Sequence, residues 1–244
     1  MTPSSVSVVL PTYNESGHII DLLNEVIASI PAGWVYEVLV VDDNSPDGTC
    51  QIIKEAFRDN PNVISILRET DRGFAKSIRT GVERASSEFL IVMDSDFTHD
   101  PVEIPKLLHV AQVYGLVSGS RFCPGGRMQD TPHYLASMIY NWLLRLIVRT
   151  QIQDNLGGYW ATRTELVRGL PMDRIFFGYG EYYFRMLHYM QHAGATIVEI
   201  PAQYVVRKTG NSKSQFVRML FTYTLAALRL RAEVRKSLAA RRRC

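Results

Sequence analysis

"FLIVMDSDFTHDP" (residues 89–101) rises through five apolar residues and then sets down Asp94, Asp96 and Asp100 within seven positions. The apolar run reads as a buried strand, and a buried strand ending in that much negative charge calls for a cation. In extended backbone, residues two apart point the same way, so Asp94 and Asp96 can face one ion while Ser95 points elsewhere. Paired hard oxygen ligands, with positions left for substrate oxygens, suit Mg²⁺ or Mn²⁺ bridging a diphosphate. Turn capping is the plainer reading for either residue alone, and the pairing at a strand end favours the metal. Asp100 reads differently: "DPVE" puts it at a helix N-cap, with Pro101 at the first helical position and Glu103 where a capping box closes. His99 is either a site residue or an ordinary loop histidine.

Other apolar segments share this form: "VSVVL" (6–10), "YEVLVV" (36–41), "VISIL" (63–67) and "GLVSG" (115–119). Helical patterns lie between them near 17–29, 48–58, 73–85 and 101–112. Alternating strands and helices predict an α/β fold with a mostly parallel, doubly wound sheet. Such sheets bind ligands at the carboxyl ends of their strands. "VVDDNSPDGT" (40–49) ends the second strand in another carboxylate pair. Adjacent residues point oppositely, so one of Asp42 and Asp43 is free to meet a ligand while the other holds the loop, and Ser45 is positioned as a helix cap. "PTYNES" (11–16) follows the first strand and lacks the glycine pattern of a phosphate loop. A nucleotide site here is therefore built from side chains. Tyr13 and Glu15 offer it an aromatic face and an acceptor, or else simply form a polar turn.

The 244 residues suit one domain with an appendage. Three cysteines, Cys50, Cys123 and Cys244, lack metal-ligand spacing and read as free thiols in a reducing compartment. No leader-like segment precedes the first strand and no apolar run is long enough to span a bilayer, which predicts a cytoplasmic protein. From Arg207 onward eleven basic residues face one acid, so a body of net charge −7 carries a tail of net charge +10. That tail asks for an anionic partner: a phosphate-rich ligand, a lipid surface or nucleic acid. A helix from about 132 to 149 carries Leu135, Ile139, Trp142, Leu143, Leu146 and Ile147 on a wide apolar face, and the stretch from 214 begins similarly and ends basic. Each reads as a core helix, a dimer contact or a membrane-surface helix.

Taken in order, "LPTYNE" (10–15), "VVDDNSPDGT", "VMDSDFTHDP" (92–101), "GSRF" (119–122) and "RKTGNSK" (207–213) resemble the family 2 glycosyltransferases of the GT-A fold, most closely the dolichol-phosphate and polyprenol-phosphate mannosyltransferases. The resemblance implies a catalytic domain over residues 1–213 and a basic amphipathic helix over 214–244. It implies that Pro11, Tyr13, Glu15, Val41 and Asp43 hold the nucleoside of a sugar nucleotide, with GDP-mannose the donor it points to. Asp94, Ser95 and Asp96 then meet the diphosphate and its Mg²⁺ or Mn²⁺. Arg121, Arg207 and Lys213 meet phosphate groups, with Arg121, His133 and Ser137 on the acceptor side. The implied partners are a polyprenyl phosphate lipid, the cytoplasmic face of a membrane, and a second copy or a separate anchor protein; no nucleic acid is implied.

This chain departs from the family's pattern in three places. Thr98 stands where Gln or Ser is common, His133 replaces an arginine four residues before Ser137, and "DNLGGYW" (154–160) replaces Asp-x-Thr-Ser-Gly-Phe. A phosphate monoester is largely ionised near neutral pH, its second pKa being about 6, so a polyprenyl phosphate needs no strong protein base to attack. The expected reaction is single displacement with inversion. A different donor, UDP-glucose or a UDP-N-acetylhexosamine, or a hydroxyl acceptor is the alternative, and for the latter Glu181 in "GYGEYYF" (178–184) is the candidate base. "DSDFT" also fits the Asp-x-Asp-x-Thr motif of haloacid dehalogenase-type phosphatases, but there the second Asp pair follows the motif, whereas here it precedes it. A nucleic-acid or membrane-binding module using the basic tail is the non-enzymatic rival. His188 and His192, four apart, read as packing residues rather than metal ligands.

Overall fold

β1 (Ser5–Thr12) is buried almost throughout, its valines and Leu10 fully so, which only a strand covered on both faces can be. The computed structural model describes residues 4–128, 131–204 and 216–241, with side chains for all of these except 131–133, 216–218 and 234–241. β1 pairs in parallel with β2 (Val35–Asp42) on one side and with β4 (Phe89–Val92) on the other, and β2 pairs with β3 (Val63–Leu67). The connections are α1 (Ile19–Ser29), α2 (Thr49–Ala56) and α3 (Phe74–Arg84). A 3₁₀ turn at Pro101–Glu103 runs into α4 (Ile104–Ala111), which leads to β5 (Leu116–Ser120). All five predicted strands and the four helices after them form within a few residues of their expected limits.

The seven-stranded sheet has the order β3-β2-β1-β4-β7-β5-β8. β8 (Ile197–Pro201) pairs in parallel with β5, while β7 (Trp160–Arg163) runs antiparallel between β4 and β5. The sequence reading missed both β7 and β8. Because the chain leaves β1 toward β2 and returns to β4 on the other side, a crevice opens at the carboxyl ends of β1 and β4. The antiparallel β7 begins at that same edge and so delivers "DNLGGYW" to it. A two-stranded sheet of β6 (Arg127–Met128) and β9 (Gln203–Tyr204) lies beside it.

The second half is mainly helical. It contains α5 (Thr131–Val148), α6 (Thr164–Arg168), α7 (Met172–Ile175), α8 (Tyr182–His192) and α9 (Phe216–Arg241). Leu144 and Val148 of α5 bury against Phe184 of α8 and Tyr223, Ala227 and Leu230 of α9. The opposite face of α5 stays in solvent: Ile139 is 63% and Trp142 61% exposed, with Leu135, Met138, Leu143 and Leu146 beside them. Phe221, Leu225 and Leu228 of α9 are exposed as well. Among the described residues no helix is long and apolar enough to cross a membrane.

Of the two expected caps, that of Asp100 forms and that of Ser45 is corrected. Ser45 does not cap α2, whose N-cap is Gly48; its hydroxyl instead donates to Asp42 and accepts the Asn14 N–H. Asp100 does accept the Val102 N–H at 3.0 Å, but it caps the 3₁₀ turn, and the Glu103 carboxylate pairs with Lys106 at 2.8 Å instead of closing a capping box.

Candidate active site

A cavity of about 910 Å³ fills the crevice, and strand ends, loops and helices all contribute to its wall. From the strand ends come Pro11, Thr12, Tyr13, Glu15, Asp43, Asp94, Ser95 and Asp96, and from beyond β5 comes Arg121. Ser137 of α5, the loop at 178–181, and Met219, Thr222 and Tyr223 of α9 close the far side. Most of the sequence-predicted site therefore meets in one place. Val41 is buried inside β2 and packs with the core rather than lining the cavity. Arg207 and Lys213 lie outside the described residues, as does the His133 side chain; the His133 backbone sits in α5 one turn before Ser137.

The loops are tied before any ligand arrives. Asp42 is fully buried and takes the Ser45 N–H and hydroxyl, so it is the loop-holding member of its pair. Asp43 borders the cavity but is not free: Arg68 pairs with it and the Gly73 N–H donates to it at 2.6 Å. The Ser95 hydroxyl donates to the Pro11 carbonyl at 3.0 Å, clamping the end of β4 to that of β1. His18 joins the two loops, its Nε2 lying 3.0 Å from the Ser95 carbonyl and 3.1 Å from Glu15.

Asp94 opens on the cavity with its side chain 32% exposed, whereas Asp96 is buried. Asp96 Oδ1 accepts from the Thr98 N–H at 3.0 Å and from its hydroxyl at 2.6 Å, so Thr98 orients this carboxylate. The Asp94 N–H donates to His99 Nδ1 at 2.8 Å, which leaves the hydrogen on Nε2 to be donated to the Gly157 carbonyl at 3.1 Å. His99 is thus buried, and it fixes the backbone of Asp94 against the start of β7. Among the described residues no three His, Cys, Asp or Glu side chains converge as a complete metal cage. Two carboxylates at a cavity wall instead fit the protein's share of a Mg²⁺ or Mn²⁺ site completed by diphosphate oxygens.

Arg121 lines the cavity from a buried position. Its Nε and Nη2 donate to Asp154 Oδ2 and Oδ1 at 2.8 and 2.7 Å, and its backbone N–H reaches Oδ2 at 3.1 Å. Burial opposes the guanidinium charge, but Asp154 outweighs it and pushes the pKa up. Asp154 is held in turn, its N–H donating to Glu199 at 2.9 Å. Sequence reasoning singled out "DNLGGYW" only as a departure from the family's pattern and missed this partnership.

Glu181 is buried at the N-terminus of α8 and faces the cavity. Its Oε2 accepts the Tyr179 N–H at 2.9 Å, and Oε1 lies 3.5 Å from Arg185. Both carboxylate oxygens are thus engaged by the protein's own donors, and this geometry counts against the base role. His188 and His192 pack ring against ring, 4.0 Å between centroids, in keeping with the packing role expected of them.

A doubly wound sheet with paired aspartates at its carboxyl edge and a large cavity beyond them defines a glycosyltransferase of the GT-A fold. The chain belongs to glycosyl transferase family 2, whose model matches residues 7–170. The phosphatase reading of "DSDFT" falls with that membership. The chain is 33% identical to an undecaprenyl-phosphate mannosyltransferase of Micrococcus luteus over 215 residues, 85% of this chain and 86% of that protein. It is 31% identical over 218 residues to a dolichol-phosphate mannosyltransferase of Pyrococcus furiosus, covering 85% of this chain but only 58% of that protein's length. In fold it is similar to glucosyl-3-phosphoglycerate synthase from Mycobacterium tuberculosis, solved with Mn²⁺ and UDP, with a TM-score of 0.68 at 19% identity over 92% of this chain and 80% of that one.

Proposed function

We propose that the protein transfers mannose from GDP-mannose to a polyprenyl phosphate at the cytoplasmic face of a membrane. The observation that carries this reading is the position of Ser137. It lines the cavity while Leu135, Met138, Ile139 and Trp142, on the same helix, stand exposed outside it. A ligand with an anionic head and an apolar tail matches that arrangement, the head beside Arg121 and Ser137 and the tail along α5. The names of the mannosyltransferase relatives support the same chemistry.

Donor and acceptor occupy opposite sides of the cavity. Tyr13, Glu15 and Asp43 take the nucleoside end, and Asp94 and Asp96 lie where its diphosphate emerges. A Mg²⁺ or Mn²⁺ ion held by these two aspartates would supply positive charge to the departing nucleotide. Arg121, held rigid by Asp154, and Ser137 orient the acceptor phosphate behind the anomeric carbon. That phosphate brings its own anionic oxygen, so the reaction is one inverting displacement without a protein base. Arg207 and Lys213 would add charge at the phosphates. Residues 1–213 form the catalytic unit, and the basic segment from 214 serves as a membrane-surface element, with a second copy or an anchor protein as the other candidate for its partner.

The test offers the purified protein a panel of GDP- and UDP-sugars with Mn²⁺ and a short-chain polyprenyl phosphate. Mannosyl lipid formed from GDP-mannose alone is the expected result. Transfer only to free sugars overturns the acceptor, and turnover of another donor overturns the sugar.

A further inference from the structure

Helix α5 presents Ser137, Asn141, Leu144 and Val148 toward the protein at spacings of four, three and four residues. Asn141 is only 1% exposed and the one amide in that row. A buried amide must have its polar atoms paired, and here the pairing also settles which way round it sits. The Asn155 backbone N–H lies 2.7 Å from one amide atom of Asn141; a backbone N–H can only donate, so that atom is the oxygen. Nδ2 therefore faces Ser137, donating to its carbonyl at 2.9 Å and reaching its Oγ at 3.4 Å.

Asn155 is itself immobilised. It is fully buried, its amide oxygen accepts the Thr150 hydroxyl, and its Nδ2 donates to the Ile152 carbonyl at 3.2 Å. The residue before it is Asp154, the partner of Arg121. Two adjacent buried residues of one loop thus fix the two groups on the acceptor side of the cavity, Arg121 directly and Ser137 through Asn141.

A hydroxyl whose oxygen receives an N–H keeps its own hydrogen for another acceptor. We propose that Asn141 is a positioning residue for the acceptor: braced by Asn155, it sets the Ser137 hydroxyl to donate into the cavity, toward an oxygen of the acceptor phosphate. This rests on reading the cavity as a polyprenyl phosphate site. It predicts an effect on one substrate only, because nothing in the chain from Asn155 to Ser137 touches the donor side.

The test measures KM for donor and acceptor, and the melting temperature, in wild type, Asn141→Asp, Ser137→Ala and the double variant. Aspartate at 141 keeps an oxygen toward the Asn155 N–H but sets a second acceptor against Ser137, drawing the hydroxyl hydrogen back from the cavity. The acceptor KM is expected to rise about tenfold in each single variant, with the donor KM unchanged. The double variant is expected to be no worse than Ser137→Ala alone. Asn141→Leu, similar in volume and uncharged, has the same expected outcome and serves if the aspartate folds poorly. Additive losses, a joint rise in both KM values, or an unchanged acceptor KM in Ser137→Ala overturns the assignment. A wild type that turns over the lipid while the variants behave additively overturns this inference alone; a wild type that transfers nothing to polyprenyl phosphate overturns the proposed function, and this inference with it.

Discussion

Arg121 and Asp154 meet fork to fork, with two side-chain hydrogen bonds of 2.8 and 2.7 Å between groups that are both buried. Such a pair contributes little net stability against an apolar substitute, yet breaking it from one side strands a charge. Asp154→Ala is therefore expected to cost about 3 to 5 kcal/mol, read by chemical denaturation. Asp154→Asn retains the shape and loses the charge, so its cost is smaller. If Asp154→Ala unfolds at the wild-type denaturant midpoint, the pair does not brace this wall.

What could be read from the sequence follows from where each signal sits. β4 is an unbroken apolar run, β1 and β2 are interrupted only by Ser7 and Glu37, and all three end in polar turns, so both the strands and the ligand edge they share are legible locally. β7 is four residues, "WATR", with two polar side chains. It becomes a strand only because β4 and β5 flank it, and that is information from residues far away in the chain. The same distinction governs the site. Asp94 and Asp96 announce themselves by spacing, whereas Asp154 acquires its role from an arginine 33 residues earlier. Asp43 marks the boundary: alternation says only that one aspartate of the pair faces the ligand edge, the resemblance implies that it is Asp43, and neither reveals that Arg68 and Gly73 already hold it.

The His188 imidazole is pushed down to about 4, mainly by burial and secondly by the neighbouring His192. Its pKa is lower folded than unfolded, so between pH 6.5 and 4 the unfolded chain binds a proton that the folded one refuses. Stability contributed by the neutral ring is complete above pH 6.5 and lost as pH falls toward 4. The loss amounts to about 1 to 2 kcal/mol once solvent screening is allowed for. Denaturation midpoints measured across that window are expected to slope downward in wild type and to flatten in His188→Gln. Equal slopes would show that other groups carry the acid sensitivity.

Asp94 and Asp96 make a separable prediction. If both serve the diphosphate and its ion, chelation with EDTA abolishes turnover and Mn²⁺ restores it. Asp94→Asn, which keeps the size but removes the charge, is expected to lower kcat by about 10² to 10³. The hydrogen bond from the Asp94 backbone N–H to His99 is kept in this variant, and the Asp94 carboxylate loses only its charge beside His99 Nε2, 3.8 Å away. Calorimetry with the nucleotide sugar gives a second readout: Mn²⁺ is expected to tighten donor binding in wild type and not in the variant. Full activity in chelator removes the ion from the mechanism.

Trp142 tests the membrane reading without touching the chemistry. Its side chain is 61% exposed on the outer face of α5, away from Ser137 and Asn141, so replacing it leaves the cavity wall intact. Transferring a large aromatic from water into an interface contributes about 1.5 to 3 kcal/mol, so Trp142→Ser is expected to weaken binding to anionic vesicles roughly tenfold to a hundredfold. Turnover of a short, soluble polyprenyl phosphate depends on the cavity alone and stays at the wild-type level, whereas turnover of a long-chain acceptor embedded in vesicles falls in step with vesicle binding. A dimer contact predicts something else. In that case sedimentation detects a dimer in wild type that dissociates in Trp142→Ser, vesicle binding is unchanged, and the stripe belongs to a second copy of the chain rather than to the bilayer.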